Sequence, residues 1–251
     1  MNDTIQILLQ HRSIREFKER PLTREELQTI IQSAQAAPSS SFVQAYSIIG
    51  IRDPQKKEQL AELAGNQPYV AQNGHLLVFC LDLHRLSLAA ELEGVSVEKT
   101  LTALQSVETF MVGVIDAALA AQNAVVAAES QGLGTVYIGG LRNRLPEVVE
   151  LLKTPERVIP LFALCIGEPA QPSAVKPRLP MAAVYHEEEY TEDQAHTELL
   201  QAYNAQMSRY YAERTEGKRA EGWTAGIAKQ LKNPKRLYMK EFLGSRKLPL
   251  E

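Results

Sequence analysis

The chain has 251 residues, 45% of them hydrophobic, enough to bury a real core in one large domain or two small ones and too many for a disordered protein. Its net charge of −3 excludes the broad cationic surface of a general nucleic-acid or anionic-membrane binder, so basic residues that matter must act in local clusters. Cys80 and Cys165 lie far apart in apolar runs and form no CxxC, which reads as two inert buried thiols, and the five histidines include no HxH, HxxH or HExxH pair to suggest a metal site.

The first stretch, MNDTIQILLQHR, lacks a basic segment followed by a long apolar run, so no secretory signal is expected and a cytoplasmic location is. A first helix ends near His11, where HRSIREF (His11 to Phe17) gathers His11, Arg12 and Arg15. Thr23 and Glu26 form a capping box for a helix running to about Ala36, and Pro38 stops it. PSSSF (Pro38 to Phe42) follows with three hydroxyls in a row. YSIIGI reads as a short buried strand, and Asp53, Pro54 and Gly65 frame a helix over about Gln55 to Ala64.

HLLVFCLDL, near His75 to Leu83, has the continuous apolar character of a strand in the middle of a sheet. Residues 82–106 are charged with Leu and Ala at helical spacing and read as a helical excursion outside the core. From about Glu108 to Gln131 the pattern is apolar nearly all round, with ten of twelve residues apolar from Ala117 to Ala128, which predicts a helix enclosed by others or by a partner chain. The twelve residues between Asp116 and Glu129 are too few to cross a bilayer. Gly132 caps this helix, TVYIGG runs into a turn at Gly139 and Gly140, and RVIPLFALCIG is a fourth strand. After KPRLP (Lys176 to Pro180) the composition turns to Glu, Gln, Lys, Arg and Tyr, with too little apolar surface for a core of its own, so this tail is expected to wrap another surface. Four short strands among long helical segments, without a βαβ rhythm, predict an α+β fold.

Nucleotide-binding motifs of the common kinds are absent. The glycines of GLGTVYIGG follow a helix and precede a strand with spacing GxGxxxxG, which is not the dinucleotide fingerprint, and there is no GxxxxGK; without a GxSxG or a convincing Ser, His and Asp set, a hydrolase has little support either. Three small clusters remain: HRSIR, KPR with Pro177 holding Lys176 and Arg178 on extended backbone, and ERTEGKR with Arg214, Lys218 and Arg219 around a glycine turn. HRSIR and KPR together make two halves of a phosphate clamp, since a dianion held deeply needs several cations and neutral donors.

HRSIR with Phe17, then SSSF, GNQPYVAQ, VYIGGLRN, KPRLP and ERTEGKR, in this order and over nearly the whole chain, resembles the oxygen-insensitive NADPH nitroreductase and flavin reductase family. The resemblance implies a nitroreductase-like α+β fold, a mainly antiparallel central sheet surrounded by helices, in an intertwined homodimer that binds FMN. It implies one domain over residues 1–251, with the excursion at 82–106 and a C-terminal extension at about 190–251 that wraps the partner and contributes to NADPH recognition. Carried over residue by residue, it implies that His11, Arg12 and Ser13, with Lys176 and Arg178, hold the FMN phosphate, that Ile14 belongs to the same cofactor-binding segment, and that Arg15 lies by the pyrimidine edge. Ser39, Ser40 and Ser41 come from the other subunit, and Gln67 bonds the ring or ribityl chain. Tyr137, Ile138, Gly139 and Gly140 bring backbone amides to the flavin N5 and O4 edge, Phe42 borders the substrate space, and Arg214 and Arg219 recognise the NADPH 2′-phosphate.

The implied activity is an NADPH oxidoreductase that reduces nitroaromatics, quinones or free flavin by two-electron hydride transfer at one flavin site, with substitution kinetics and no catalytic side chain. Chemically this is consistent, because hydride transfer needs no side-chain acid or base and a fixed guanidinium favours the negative charge that reduction brings. A reductase dedicated to supplying reduced FMN to a partner monooxygenase has the same requirements. A non-catalytic flavin-binding protein would keep HRSIR and KPR but have no use for Arg214 and Arg219.

Overall fold

A computed structural model describes residues 1–171 and 173–248 of the chain. These divide into two compact units, Met1–Ser173 with Arg236–Glu251, and Ala174–Lys235.

The first unit opens with α1 (Asp3–Leu9), capped by the Asn2 side chain, which accepts from the Ile5 amide at 3.0 Å. Helix α2 (Arg24–Gln35) starts in the expected capping box, Thr23 Oγ1 accepting from the Glu26 amide and the Glu26 carboxylate accepting from the Thr23 amide. Strand β1 (Tyr46–Ile51) leads to α3 (Pro54–Leu63), whose N-cap Asp53 accepts from the Lys56 amide at 2.8 Å, and Gly65 beyond it has φ +94°. A short α4 (Pro68–Ala71) precedes β2 (His75–Asp82). The expected excursion is helical, as α5 (His84–Leu92) and α6 (Val97–Leu104), and the long helix is α7 (Val107–Ser130). Gly132, at φ +75°, turns the chain into β3 (Gly134–Ile138), a 3-10 helix over Gly139–Asn143, α8 (Leu145–Leu152) and β4 (Val158–Gly167).

The four strands form one sheet in the order β1-β2-β4-β3, and every pairing is antiparallel, in keeping with the α+β expectation. All eight residues of β2 are buried, because it lies inside the sheet with both faces covered. On one face Leu76, Val78 and Cys80 join a core with Leu60, Ala64 and Val148, while on the other Leu77 and Phe79 meet Ile30, Ala120 and Ala124. Strand β1 departs from the sequence reading, since only Ile51 in it is buried. It is an edge strand, and edge position depends on strand order, which a local apolar run does not encode.

By length and composition α7 could span a bilayer. In this fold it is a core helix with Ala117, Ala120, Ala121, Ala124 and Ala128 fully buried, and these small side chains let it lie close against the sheet. Its other side leaves Val107, Met111, Ile115 and Leu119 exposed, at the four-residue spacing of one helical stripe.

The second unit contains α9 (Asp193–Arg214) and α10 (Trp223–Lys232), preceded by a 3-10 turn at Met181–Ala183. The two helices are joined by a Tyr203–Trp223 edge contact, by Asn204 to Thr224 at 2.7 Å and by Ser208 Oγ donating to the Ala220 carbonyl at 2.9 Å. The chain then rejoins the first unit in α11 (Met239–Ser245), where Tyr238, Phe242 and Leu243 pack on the core and Leu248 is fully buried.

Candidate active site

HRSIREF runs beside the sheet. Ser13 bridges Thr135 of β3, the Ile14 amide donates to the Thr135 carbonyl at 2.9 Å, and the Lys18 amide donates to the Glu168 carbonyl at 2.9 Å. Position 134 must be glycine for this approach, because a Cβ there would stand 2.5 Å from Ile14 Cγ1. The Ile14 side chain is thus core, and its amide is already spent on the sheet.

Glu129 of α7 fixes the start of the segment, its Oε1 accepting from both His11 Nδ1 and Thr135 Oγ1 at 2.8 Å. Arg12 has a buried Nε with no partner among the described residues and lines a cavity of about 210 Å³ with Gln10, Ile14, Glu129 and Gly134. Arg15 is exposed and, among the described residues, forms no ion pair. Arg20 is committed to structure, bonded to Glu26 and Glu168, and this partnership holds the Glu26 carboxyl down at about 2.

Ser39, Ser40 and Ser41 lie on a loop that Asp116 of α7 organises from within the protein. Its carboxylate, 1% exposed, accepts from the Ser40 amide and the Ala45 amide, each at 3.0 Å. Ser41, Phe42 and Gln44 all take positive φ, an uncommon conformation for such residues that these two bonds help to impose. Phe42 is 80% exposed, free to border a substrate space.

Asp116 and Glu129 are thirteen residues apart on one helix, roughly 20 Å along its axis at about 1.5 Å per residue. Within one chain, therefore, the serine loop and His11 are not brought together around one phosphate.

At the end of β3, Tyr137 packs edge-on to Phe162 with centroids 5.4 Å apart, and Ile138 is buried. The sequence reading takes Gly139 and Gly140 as a backbone-only turn at the strand end; both begin the 3-10 helix, and neither has positive φ. What requires glycine at 140 is space, since a Cβ would lie 2.4 Å from the Ala64 carbonyl and 2.5 Å from Gln67 Nε2. Gly140 thereby seats the strand end against Gln67, whose Nε2 donates to the Ala64 carbonyl at 2.6 Å and whose Oε1 accepts from the Tyr69 hydroxyl. Tyr238 braces the same region, donating to the Arg142 carbonyl at 2.7 Å and accepting from the Leu145 amide at 3.0 Å.

In the second unit, the Tyr203 hydroxyl donates to the Pro177 carbonyl at 3.0 Å, and Arg178 Nη1 donates to the Lys176 carbonyl at 3.3 Å. Lys176 Nζ lies 5.3 Å and the Arg219 guanidinium 3.8 Å from the centroid of Tyr211, while Arg214 Nη1 bonds the Tyr210 hydroxyl at 3.2 Å. Lys176, Arg214 and Arg219 thus gather within one unit. Sequence reasoning missed Asp116, Glu129, Thr135, Tyr203 and Tyr211, which act by holding other residues. The only signal of the first two was that they are the charges bounding the apolar run of α7.

The residues present fit a phosphate-bearing flavin. The orphaned Arg12 Nε is a donor awaiting an acceptor, Arg15 carries an uncompensated charge, and the Ser13 and Ser39–Ser41 hydroxyls have no partner among the described residues.

A fold of this kind, with cations and hydroxyl donors presented by loops around an antiparallel α+β sheet, defines a class of phosphate-bearing cofactor binders. The chain belongs to the nitroreductase family, whose model matches residues 8–168, with the model of the family's C-terminal domain matching residues 176–251. It is 52% identical over 246 residues to the protein named FMN reductase (NADPH) of Bacillus subtilis, covering 97% of each chain. It is 41% identical over 249 residues to the NADPH-flavin oxidoreductase of Vibrio harveyi, covering 99% of each. The solved structure of NfrA1 from B. megaterium superposes with a TM-score of 0.96 at 55% identity, covering 98% of this chain and 99% of that one.

Proposed function

We propose that the protein is an FMN-dependent, NADPH-preferring oxidoreductase that reduces nitroaromatics, quinones and free flavin. What carries this reading is the near full-length identity to relatives named for NADPH-dependent flavin reduction, joined to Arg12, Arg15 and Lys176, which form no ion pair among the described residues. Held by these residues, FMN would supply the two-electron redox chemistry between NADPH and the acceptor.

The chain's own residues bind and orient. His11, Arg12 and Ser13, with Lys176 and Arg178, serve the FMN phosphate, and Ile14 keeps their backbone against β3. Arg15 holds a positive charge at the pyrimidine edge and favours the added negative charge of reduction. Gln67 and the backbone from Tyr137 to Gly140 line the ring edge, Phe42 borders the acceptor space, and Arg214 and Arg219 select NADPH through its 2′-phosphate. No side-chain acid or base is assigned, and one site shared by donor and acceptor gives substitution kinetics.

The same reading makes the protein a homodimer. The exposed apolar stripe of α7 needs a partner, and the roughly 20 Å between the anchors of His11 and Ser40 is accounted for if Ser39–Ser41 serve the flavin of the other subunit. A cytoplasmic location goes with a nicotinamide co-substrate. The segment from about 190 onward, which begins in the second unit, is read as the part that reaches the partner and contributes the NADPH contacts.

An absorption spectrum under nitrogen tests the activity: the yellow protein should bleach with NADPH and recover its colour with a nitroaromatic. A yellow protein that neither NADPH nor NADH bleaches would sink the reading. Steady-state rates with nitrofurazone, a quinone and free FMN decide between a broad reductase and one dedicated to feeding a monooxygenase. Arg214→Ala should raise the KM for NADPH far more than that for NADH, a loss of about 1.5 to 3 kcal/mol for a charge-assisted bond.

A further inference from the structure

Cations of the second unit meet at one side chain, Tyr211 of α9. Arg219 stands over its ring at 3.8 Å and Lys176 Nζ is 5.3 Å from the same centroid. Both arrive on tethered backbone. The Tyr203–Pro177 bond fixes the lysine segment to α9, and a turn at Gly217, with φ +80° and the Arg219 amide donating to Thr215 Oγ1 at 2.9 Å, brings the arginine round.

Carboxylates do not explain the gathering. Among the described residues the one ion pair to these side chains is Arg219 with Glu221, at 3.7 Å between side chains about half exposed, a separation and setting worth little. Among the described residues Lys176 has no ion pair at all. Like charges left to themselves would repel, whereas the negative face of an aromatic ring and a phenol oxygen attract both. The phenol registers this: Lys176 as hydrogen-bond partner, then the charges of Lys176, Arg219 and Arg214, hold its pKa below the ordinary value.

We propose that Tyr211 is a positioning residue that holds Lys176 and Arg219 in place for phosphate, so that retention of FMN and discrimination of NADPH from NADH pass through one side chain. This rests on the reading that Lys176 serves the FMN phosphate and Arg219 the NADPH 2′-phosphate. The proposal assigns the aromatic face to Arg219, 3.8 Å from the centroid, and the hydroxyl to Lys176, whose nearness lowers the phenol's pKa.

Three variants of the FMN-loaded enzyme test it, Tyr211→Phe, Tyr211→Leu and Arg219→Ala, with FMN dissociation constants, KM for NADPH and for NADH, and melting temperatures measured on each. Tyr211→Phe should weaken FMN about threefold to tenfold and leave the NADPH to NADH ratio of KM unchanged, and Tyr211→Leu should weaken FMN equally and raise the KM for NADPH alone by a similar factor. A leucine variant that melts lower but keeps the wild-type FMN affinity and KM ratio, while Arg219→Ala shifts that ratio, overturns the proposal and leaves the function standing. If Arg219→Ala itself does not alter the ratio, the assignment of the loop falls and this proposal with it. Should the leucine variant not fold, Tyr211→Phe decides, and an unaltered FMN affinity overturns it.

Discussion

Asp116 shows how a single buried carboxylate can shape a site it never enters. Its two bonds satisfy amides at Ser40 and Ala45 and fix a loop with three residues at positive φ. Asp116→Ala leaves two donors without an acceptor and should cost about 3 kcal/mol in urea unfolding, with Asp116→Asn losing about half of that. An unchanged midpoint would show that the loop holds itself. His75 supplies a second test. Buried beside Gly50 with an unpartnered Nε2, it is pushed down to about 4 by burial first and then by Arg52 and Lys57. The folded state therefore binds this proton less readily than the unfolded chain, so stability is full above about pH 6.5 and falls as pH drops from 6.5 towards 4, by up to about 3 kcal/mol. His75→Gln should flatten that part of the pH profile relative to wild type. Neither role was legible in the sequence, because Asp116 and His75 are single polar residues in apolar surroundings, and only the fold says what faces them.

Elements whose signals are local were readable. The Thr23–Glu26 box, Asp53 with Pro54, and the left-handed Gly65 and Gly132 each place a helix end to within a residue or two, since the atoms that make the cap are neighbours in the chain. What depended on distant partners was not. The edge status of β1 follows from strand order, and a backbone-only turn at Gly140 gave no hint that Ala64 and Gln67 lie against it. Gly140→Ala should consequently act through volume, displacing the Gln67 segment, lowering stability by about 1 to 3 kcal/mol and weakening FMN. Equal affinity for FMN in this variant would separate the strand end from the flavin. Of the site, HRSIR, SSSF and KPR were legible as cationic or hydroxyl clusters, while the residues that hold them were not.

For the whole molecule, the apolar stripe on α7 makes the strongest demand. Val107, Met111, Ile115 and Leu119 are between 39% and 51% exposed in the single chain, and burying each further is worth on the order of 1 kcal/mol, enough with the rest of an interface to hold a dimer. If the proposed dimer with Ser39–Ser41 at the flavin of the other subunit holds, Met111→Glu combined with Ile115→Glu should give a monomer by light scattering that has lost its FMN. A dimer that persists in this variant would place the interface elsewhere.

The division into two units also has a consequence for biosynthesis. Tyr238, Phe242 and Leu248, which complete the core of the first unit, are translated only after the whole of residues 174–235. A nascent chain emerging from the ribosome thus lacks these core side chains until that stretch has been made, and the body closes late, when its own final helix comes back to it.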